Sequence, residues 1–118
     1  TYECENPDQP IAIMPWGGSK GPTREAFEAL IEEGYPLGWY YTTQLHPLQP
    51  KLLEDLLKKE LVLVPELNYL GQFSSVLRSL GVHAESITQY TGLPFKVRDL
   101  SKKIKEHVGA PRKRMVKV

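Results

Sequence analysis

Cysteine is almost absent from this chain of 118 residues: Cys4 stands alone. A single thiol excludes an internal disulfide and points to a reducing compartment, so the cytoplasm is the expected location. Cys4 lies in a polar stretch without a nearby histidine, and reads as a neutral thiol of a terminal tail. Long apolar runs are also missing, which excludes a transmembrane helix. The first residues, Thr-Tyr-Glu-Cys-Glu-Asn-Pro-Asp, are acidic and carry no signal-peptide core. No initiator Met opens the chain, which suggests a piece cut from something longer. The three histidines, His46, His83 and His107, are far apart, and no Cys/His pair has metal-ligand spacing. There is no Gly-x-Ser-x-Gly for a nucleophile elbow. The acidic pairs Glu32-Glu33 and Glu54-Asp55 fall on helix faces expected to be wet.

What is present is ordinary in amount and informative in order. Hydrophobic residues make up 41% and charged residues 25%, the composition of a soluble globular domain, and the length fits one domain. Net charge is +1, but it is unevenly spread. From Lys96 onward nine basic residues face two acids, so a basic end adjoins an acidic body. This end suits a solvated tail or an acidic partner surface better than nucleic acid, because no aromatic residues are interleaved with the charges.

Residues 1–10 read as a linker from an upstream domain, 11–108 as a folded α/β domain and 109–118 as a basic flexible tail. Within the domain, strand and helix signals alternate four times. Ile11 to Trp16 is a short apolar run that suits a buried strand. Gly17-Gly18-Ser19-Lys20-Gly21 turns the chain, and a helix with Ala26, Phe27, Leu30 and Ile31 inward runs from Pro22 to about Glu33. Leu37 to Thr43, rich in aromatics and threonine, forms a second strand. The next helix spans about Pro50 to Lys59, with Leu52, Leu53, Leu56 and Leu57 inward and Lys58 and Lys59 in its last turn. Leu61 to Val64 is a central strand. Asn68 is placed to cap a third helix whose inner face holds Leu70, Phe73, Val76, Leu77 and Leu80. Val82 to Thr88 reads as an edge-side strand, and a fourth helix covers about Val97 to His107. The expected architecture is a three-layer α/β/α domain with a mainly parallel sheet of four to five strands.

Ligands in such sheets sit outside the carboxyl ends of the strands. Three loops occupy that position. The glycine-rich turn, with Gly17, Gly18 and Ser19, can act as a plain tight turn or let a phosphate or coenzyme approach a helix N-terminus. Gln44 to Pro50, with His46, reads as structural. The third, Glu66-Leu67-Asn68 with Gln72, puts a carboxylate at a strand end, where it can bind a ligand or bond a neighbouring backbone. The candidate cofactor-binding residues are therefore Gly17, Gly18, Ser19, Glu66 and Asn68; no catalytic or metal-ligating residue stands out.

Several short motifs, taken in order, resemble the C-terminal domain of the α subunit of 2-oxoacid:ferredoxin oxidoreductases, which has the transketolase C-terminal-like fold. They are Trp16-Gly17-Gly18-Ser19, Gly21 with Glu25-Ala26, Leu45-His46-Pro47, Val62 and Val64 with Glu66 and Asn68, Gly71-Gln72, and Gly92-Leu93-Pro94-Phe95. The likeness covers about Ile11 to His107. Two departures are the doubled glycine Gly17-Gly18 and the two residues, Tyr69 and Leu70, between Asn68 and Gly71. The resemblance implies a scaffold and subunit-interface role, with an isolated domain that is inactive and binds no cofactor. It implies that the parent enzyme decarboxylates a 2-oxoacid with thiamine diphosphate and magnesium, hands the acyl group to coenzyme A, and passes electrons through an iron-sulfur cluster to ferredoxin. The implied partners are the upstream domain of the same subunit and the β subunit, with no membrane contact. The alternative is a freestanding α/β module that binds a phosphorylated ligand at Gly17–Gly21.

Overall fold

The computed structural model describes residues 2–43, 48–66, 72–88 and 95–109. Five strands form one sheet in the order β1-β3-β2-β4-β5, where β1 is Glu3–Glu5, β2 Ile11–Ile13, β3 Leu37–Tyr41, β4 Leu61–Glu66 and β5 Ala84–Thr88. β3, β2, β4 and β5 are parallel, while β1 runs antiparallel against β3. Four helices connect and follow the parallel strands: α1 (Lys20–Glu32), α2 (Pro50–Leu57), α3 (Gln72–Ser79) and α4 (Val97–Val108).

Strand alternation divides the core into two layers. Ile11, Ile13, Leu37, Trp39, Leu63 and Ile87 face α1 and α4, where Ala26, Phe27, Leu30, Leu100 and Ile104 meet them. Ala12, Met14, Tyr40, Val62 and Val64 face the opposite way, against Leu52 and Leu56 of α2 and Phe73 and Leu77 of α3. Successive side chains of a strand point to opposite faces, so a central strand covered on both sides must be apolar throughout. β2 (Ile-Ala-Ile) and the first four residues of β4 meet that demand.

Pro65 extends β4 beyond the expected end at Val64. The carbonyls of Leu63 and Pro65 both accept from the β2 side, from the Met14 amide at 2.8 Å and the Trp16 amide at 3.1 Å. Pro65 thus turns its missing donor toward the side where β2 has already ended. Glycines stop the helices where φ turns positive, at Gly34 (94°) after α1 and Gly81 (94°) after α3.

Three expectations change. Residues 1–10 are not only a linker: they supply β1, in register with β3 through Glu3–Tyr41, Cys4–Tyr40 and Glu5–Trp39. Lys59, expected in the last turn of the second helix, lies beyond α2 and is 9% exposed. Its ammonium donates to the backbone carbonyls of Pro7 and Gln9, which fastens the turn before β2. Leu57 and Leu80, expected inward, are 49% and 42% exposed. Leu57 is the last residue of α2 and Leu80 follows the end of α3. Leu70, His46, Asn68, the Gly92–Pro94 turn and the end of the basic tail, from Ala110, fall outside the described residues, as does the side chain of Gln72.

Candidate functional site

The chain leaves β2 toward β3 on one side and leaves β4 toward β5 on the other. The carboxyl ends of β2 and β4 therefore flank the switch point, where open α/β sheets place their ligands. Four of the five candidate residues that the sequence singles out converge there, and their geometry shows what they do.

Gly17–Ser19 forms a single 3-10 turn that runs straight into α1. Gly17 has φ 68°, a left-handed conformation open to glycine at little cost, and a Cβ there would meet nothing within 4 Å. Gly17 and Gly18 are exposed. Ser19 is 1% exposed and points inward. Its hydroxyl lies 2.6 Å from the Pro65 carbonyl and 2.9 Å from that of Trp16. The single proton is committed to the backbone, and the shorter contact ties the first turn to the end of β4. No side-chain bond caps α1.

Glu66 is 1% exposed and equally committed. Its Oε1 accepts from the Phe73 amide at 3.0 Å, and its Oε2 from the Ser74 amide at 3.3 Å and the Ser86 hydroxyl at 3.0 Å. The carboxylate thus satisfies orphan N–H groups of the first turn of α3 and sits at the positive end of that helix dipole. Asn68, the cap that the sequence suggests for this helix, lies outside the described residues; among those described, the acid that bonds these amides comes from the end of the preceding strand. Trp16 stacks on Phe73 with ring centroids 4.6 Å apart, which adds apolar bulk to the same crevice.

The switch point is therefore bridged by Ser19 and Pro65, backed by the Trp16–Phe73 stack, and closed over Glu66. Among the described residues, the buried side-chain oxygens of Ser19 and Glu66 are paired with backbone groups and the Ser86 hydroxyl. Gly17 and Gly18 are the exposed members of the set.

A second polar cluster, which the sequence did not disclose, lies beside β1. Glu3 accepts from Lys20 Nζ at 2.8 Å and from Trp39 Nε1 at 3.0 Å. These bonds, that of Lys20 first, hold its carboxyl below the usual carboxylate range. Lys20 also lies over the Tyr41 ring, 4.3 Å from its centroid. Tyr2, Glu3, Lys20, Tyr41, Thr42 and Thr43 line a depression of about 330 Å³. Arg24 bonds Glu5 and, at 2.9 Å, Glu28, and its guanidinium sits 5.0 Å from the Trp39 ring centroid. The bond to Glu5 leads the causes that push its pKa up. No sequence signal could find this cluster, because it depends on the pairing of β1. Among the described residues, no group of three or more His, Cys, Asp or Glu could hold a metal ion, and no helix is long and apolar enough to cross a membrane.

No family model matches the chain. It is 31% identical over 114 residues, 94% of its length, to the 2-oxoacid:ferredoxin oxidoreductase subunit alpha of Saccharolobus solfataricus, of which it covers 18%. It is 31% identical over 106 residues to the 2-oxoglutarate oxidoreductase subunit KorA of Mycobacterium tuberculosis, covering 16% of that protein. Among solved structures, the 2-oxoglutarate:ferredoxin oxidoreductase from Magnetococcus marinus, with 2-oxoglutarate, coenzyme A and succinyl-CoA bound, superposes with a TM-score of 0.81 at 28% identity, over 92% of this chain and 20% of that one. The chain thus spans about a fifth of the length of the relatives it matches. In sequence along nearly all its length, and in its five-stranded, mostly parallel α/β fold, the chain is homologous to a segment of the α subunit of 2-oxoacid:ferredoxin oxidoreductases.

Proposed function

We propose that this chain is a scaffold and subunit-interface domain of a 2-oxoacid:ferredoxin oxidoreductase α subunit, the C-terminal, transketolase-like domain of that subunit. One observation supports the reading beyond homology: among the described residues, the buried polar side chains at the switch point, Ser19 and Glu66, are consumed by the fold. Ser19 ties two strand ends together, and Glu66 caps α3. A ligand would have to break those bonds to use either residue, and each buried donor or acceptor left unpaired costs about 1–3 kcal/mol.

On this reading the parent enzyme supplies the chemistry elsewhere. Thiamine diphosphate and magnesium, the iron-sulfur cluster and the 2-oxoacid pocket belong to other domains and to the β subunit, with ferredoxin as electron acceptor and the cytoplasm as location. The relative that carries coenzyme A supports a place for this domain near the coenzyme's entrance. Any such contact falls to the backbone of Gly17 and Gly18, the exposed members of the set; Asn68, in the β4–α3 connection, is the remaining candidate. Residues 109–118 act as a basic tail that meets an acidic neighbouring surface.

The test is an antibody raised against this chain and used on extracts of the source cells. The captured material should contain a polypeptide several-fold heavier than 13.4 kDa together with a second subunit, and should reduce ferredoxin only when both a 2-oxoacid and coenzyme A are present. Capture of a lone 13.4 kDa polypeptide without that activity would overturn the proposal.

A further inference from the structure

Cys4 and Tyr40 face each other across the β1–β3 pair. Residues directly opposite in an antiparallel pair share one face of the sheet, with their Cβ atoms about 5 Å apart. Tyr40 is 0% exposed, and its hydroxyl is one of two buried side-chain polar atoms, among the described residues, that have no hydrogen-bond partner. A buried donor in that condition is a standing cost that any newly arrived acceptor would relieve. Cys4 is exposed and unbonded to any other cysteine.

The surroundings of the pair carry charges of both signs. Burial pushes the Tyr40 hydroxyl above its ordinary pKa, and Cys4, a neighbour close enough to interact with it, adds to the rise. The Cys4 sulfur is the hydroxyl's nearest acceptor and a weak one; the contact does not meet the geometry of a hydrogen bond, which leaves the donor without a full partner. Lys59 holds its ammonium 5.5 Å from the Tyr40 ring centroid and interacts electrostatically with Cys4. Tyr2 and Asp55 complete the charged and polar groups around the hydroxyl; Asp55 opposes an added negative charge, and Lys59 offsets it.

We infer that Cys4 is a peroxide-modifiable site whose sulfenic acid is held by the Tyr40 hydroxyl. The Cys4 thiolate attacks one oxygen of hydrogen peroxide. An S–O bond forms as the O–O bond breaks, the sulfur is oxidised, the peroxide is reduced, and the departing hydroxide takes up the thiol's proton as water. The new oxygen accepts from the Tyr40 O–H, which gains the partner it lacks. The bond draws electron density from the sulfur, which must attack a second peroxide to form sulfinic acid, so that onward step slows. Because the bond crosses from β1 to β3, the modified strand is also held more firmly to the sheet.

The experiment treats the full chain with limiting hydrogen peroxide, traps sulfenic acid with dimedone and locates the adduct by mass spectrometry. The wild-type chain should give an adduct at Cys4, and Cys4→Ser none. Tyr40→Phe, which removes only the hydroxyl, should lower the trapped fraction about tenfold in favour of sulfinic acid, the effect of losing one hydrogen bond. Equal trapping in wild type and Tyr40→Phe would overturn the inference. Should Tyr40→Phe fail to fold, melting of the wild-type chain decides: oxidation should raise its melting temperature, with no change in peroxide-treated Cys4→Ser. An unchanged or lower value for the oxidised wild type would overturn it.

Discussion

Replacing Glu66 with alanine should remove more stability than any other surface or strand-end substitution in this domain. The side chain is 1% exposed and accepts three bonds, from the amides of Phe73 and Ser74 and the hydroxyl of Ser86. Alanine leaves two amides of the first turn of α3 without a partner. Each orphaned buried group costs about 1–3 kcal/mol, and loss of a helix cap alone costs about 1 kcal/mol. Some of this returns as water or the Ser86 hydroxyl reaches the amides, so the net loss should be about 3–5 kcal/mol. That is a large share of the roughly 5–15 kcal/mol that holds a domain together. Glu66→Gln keeps an oxygen for the amides but loses the charge at the helix N-terminus, and should cost about 1–2 kcal/mol. Equilibrium unfolding in urea, followed by circular dichroism, measures both: the midpoint should fall in the order wild type, Gln, Ala, with an unchanged slope. A loss below about 1 kcal/mol for Glu66→Ala would refute the capping role, and so would equal losses for the two variants.

Gly38→Ala should destabilise the sheet edge by about 2 kcal/mol, because the new Cβ would stand 2.7 Å from the Asn6 carbonyl and 3.3 Å from that of Glu5; limited proteolysis should then cut within residues 1–10 first. Acidification should weaken the same edge. Glu3 has a lowered pKa, so its contribution is fully present above the ordinary carboxylate value and is lost as pH falls through its folded value. With Glu3 about half exposed, the loss should stay below about 1 kcal/mol, and melting curves of Glu3→Gln should show a smaller drop over that acidic window than wild type. Leu57→Lys and Leu80→Lys should each change the unfolding free energy by no more than about 0.5 kcal/mol, since both residues are nearly half exposed and a lysine stem can cover the same apolar surface.

The parallel sheet was legible because its strands are short, apolar and separated by amphipathic helices. The Leu-Val-Leu-Val run of β4 can satisfy no other environment than burial on both faces. β1 was not legible. Glu-Cys-Glu carries no apolar pattern, and all three residues are exposed; main-chain pairing and the Glu3–Lys20 and Glu5–Arg24 ion pairs hold it in place. Lys59 was misplaced for a related reason: its buried position exists only because the turn at Pro7 to Gln9 offers carbonyls to it. At the switch point, Gly17, Gly18, Ser19 and Glu66 were singled out from their position at strand ends, in two separate loops. Sequence alone left open whether Ser19 and Glu66 turn outward to a ligand or inward to the backbone. That depends on where Pro65, Phe73 and Ser74 lie in space.

Titration calorimetry of the isolated chain with coenzyme A, and separately with inorganic phosphate, tests most directly whether the strand-end residues serve the fold instead of a ligand. The account predicts no saturable heat from either, and identical traces for Gly18→Val. Saturable binding by the wild-type chain that Gly18→Val abolishes would contradict it, and would make the Gly17–Ser19 turn a ligand site in its own right.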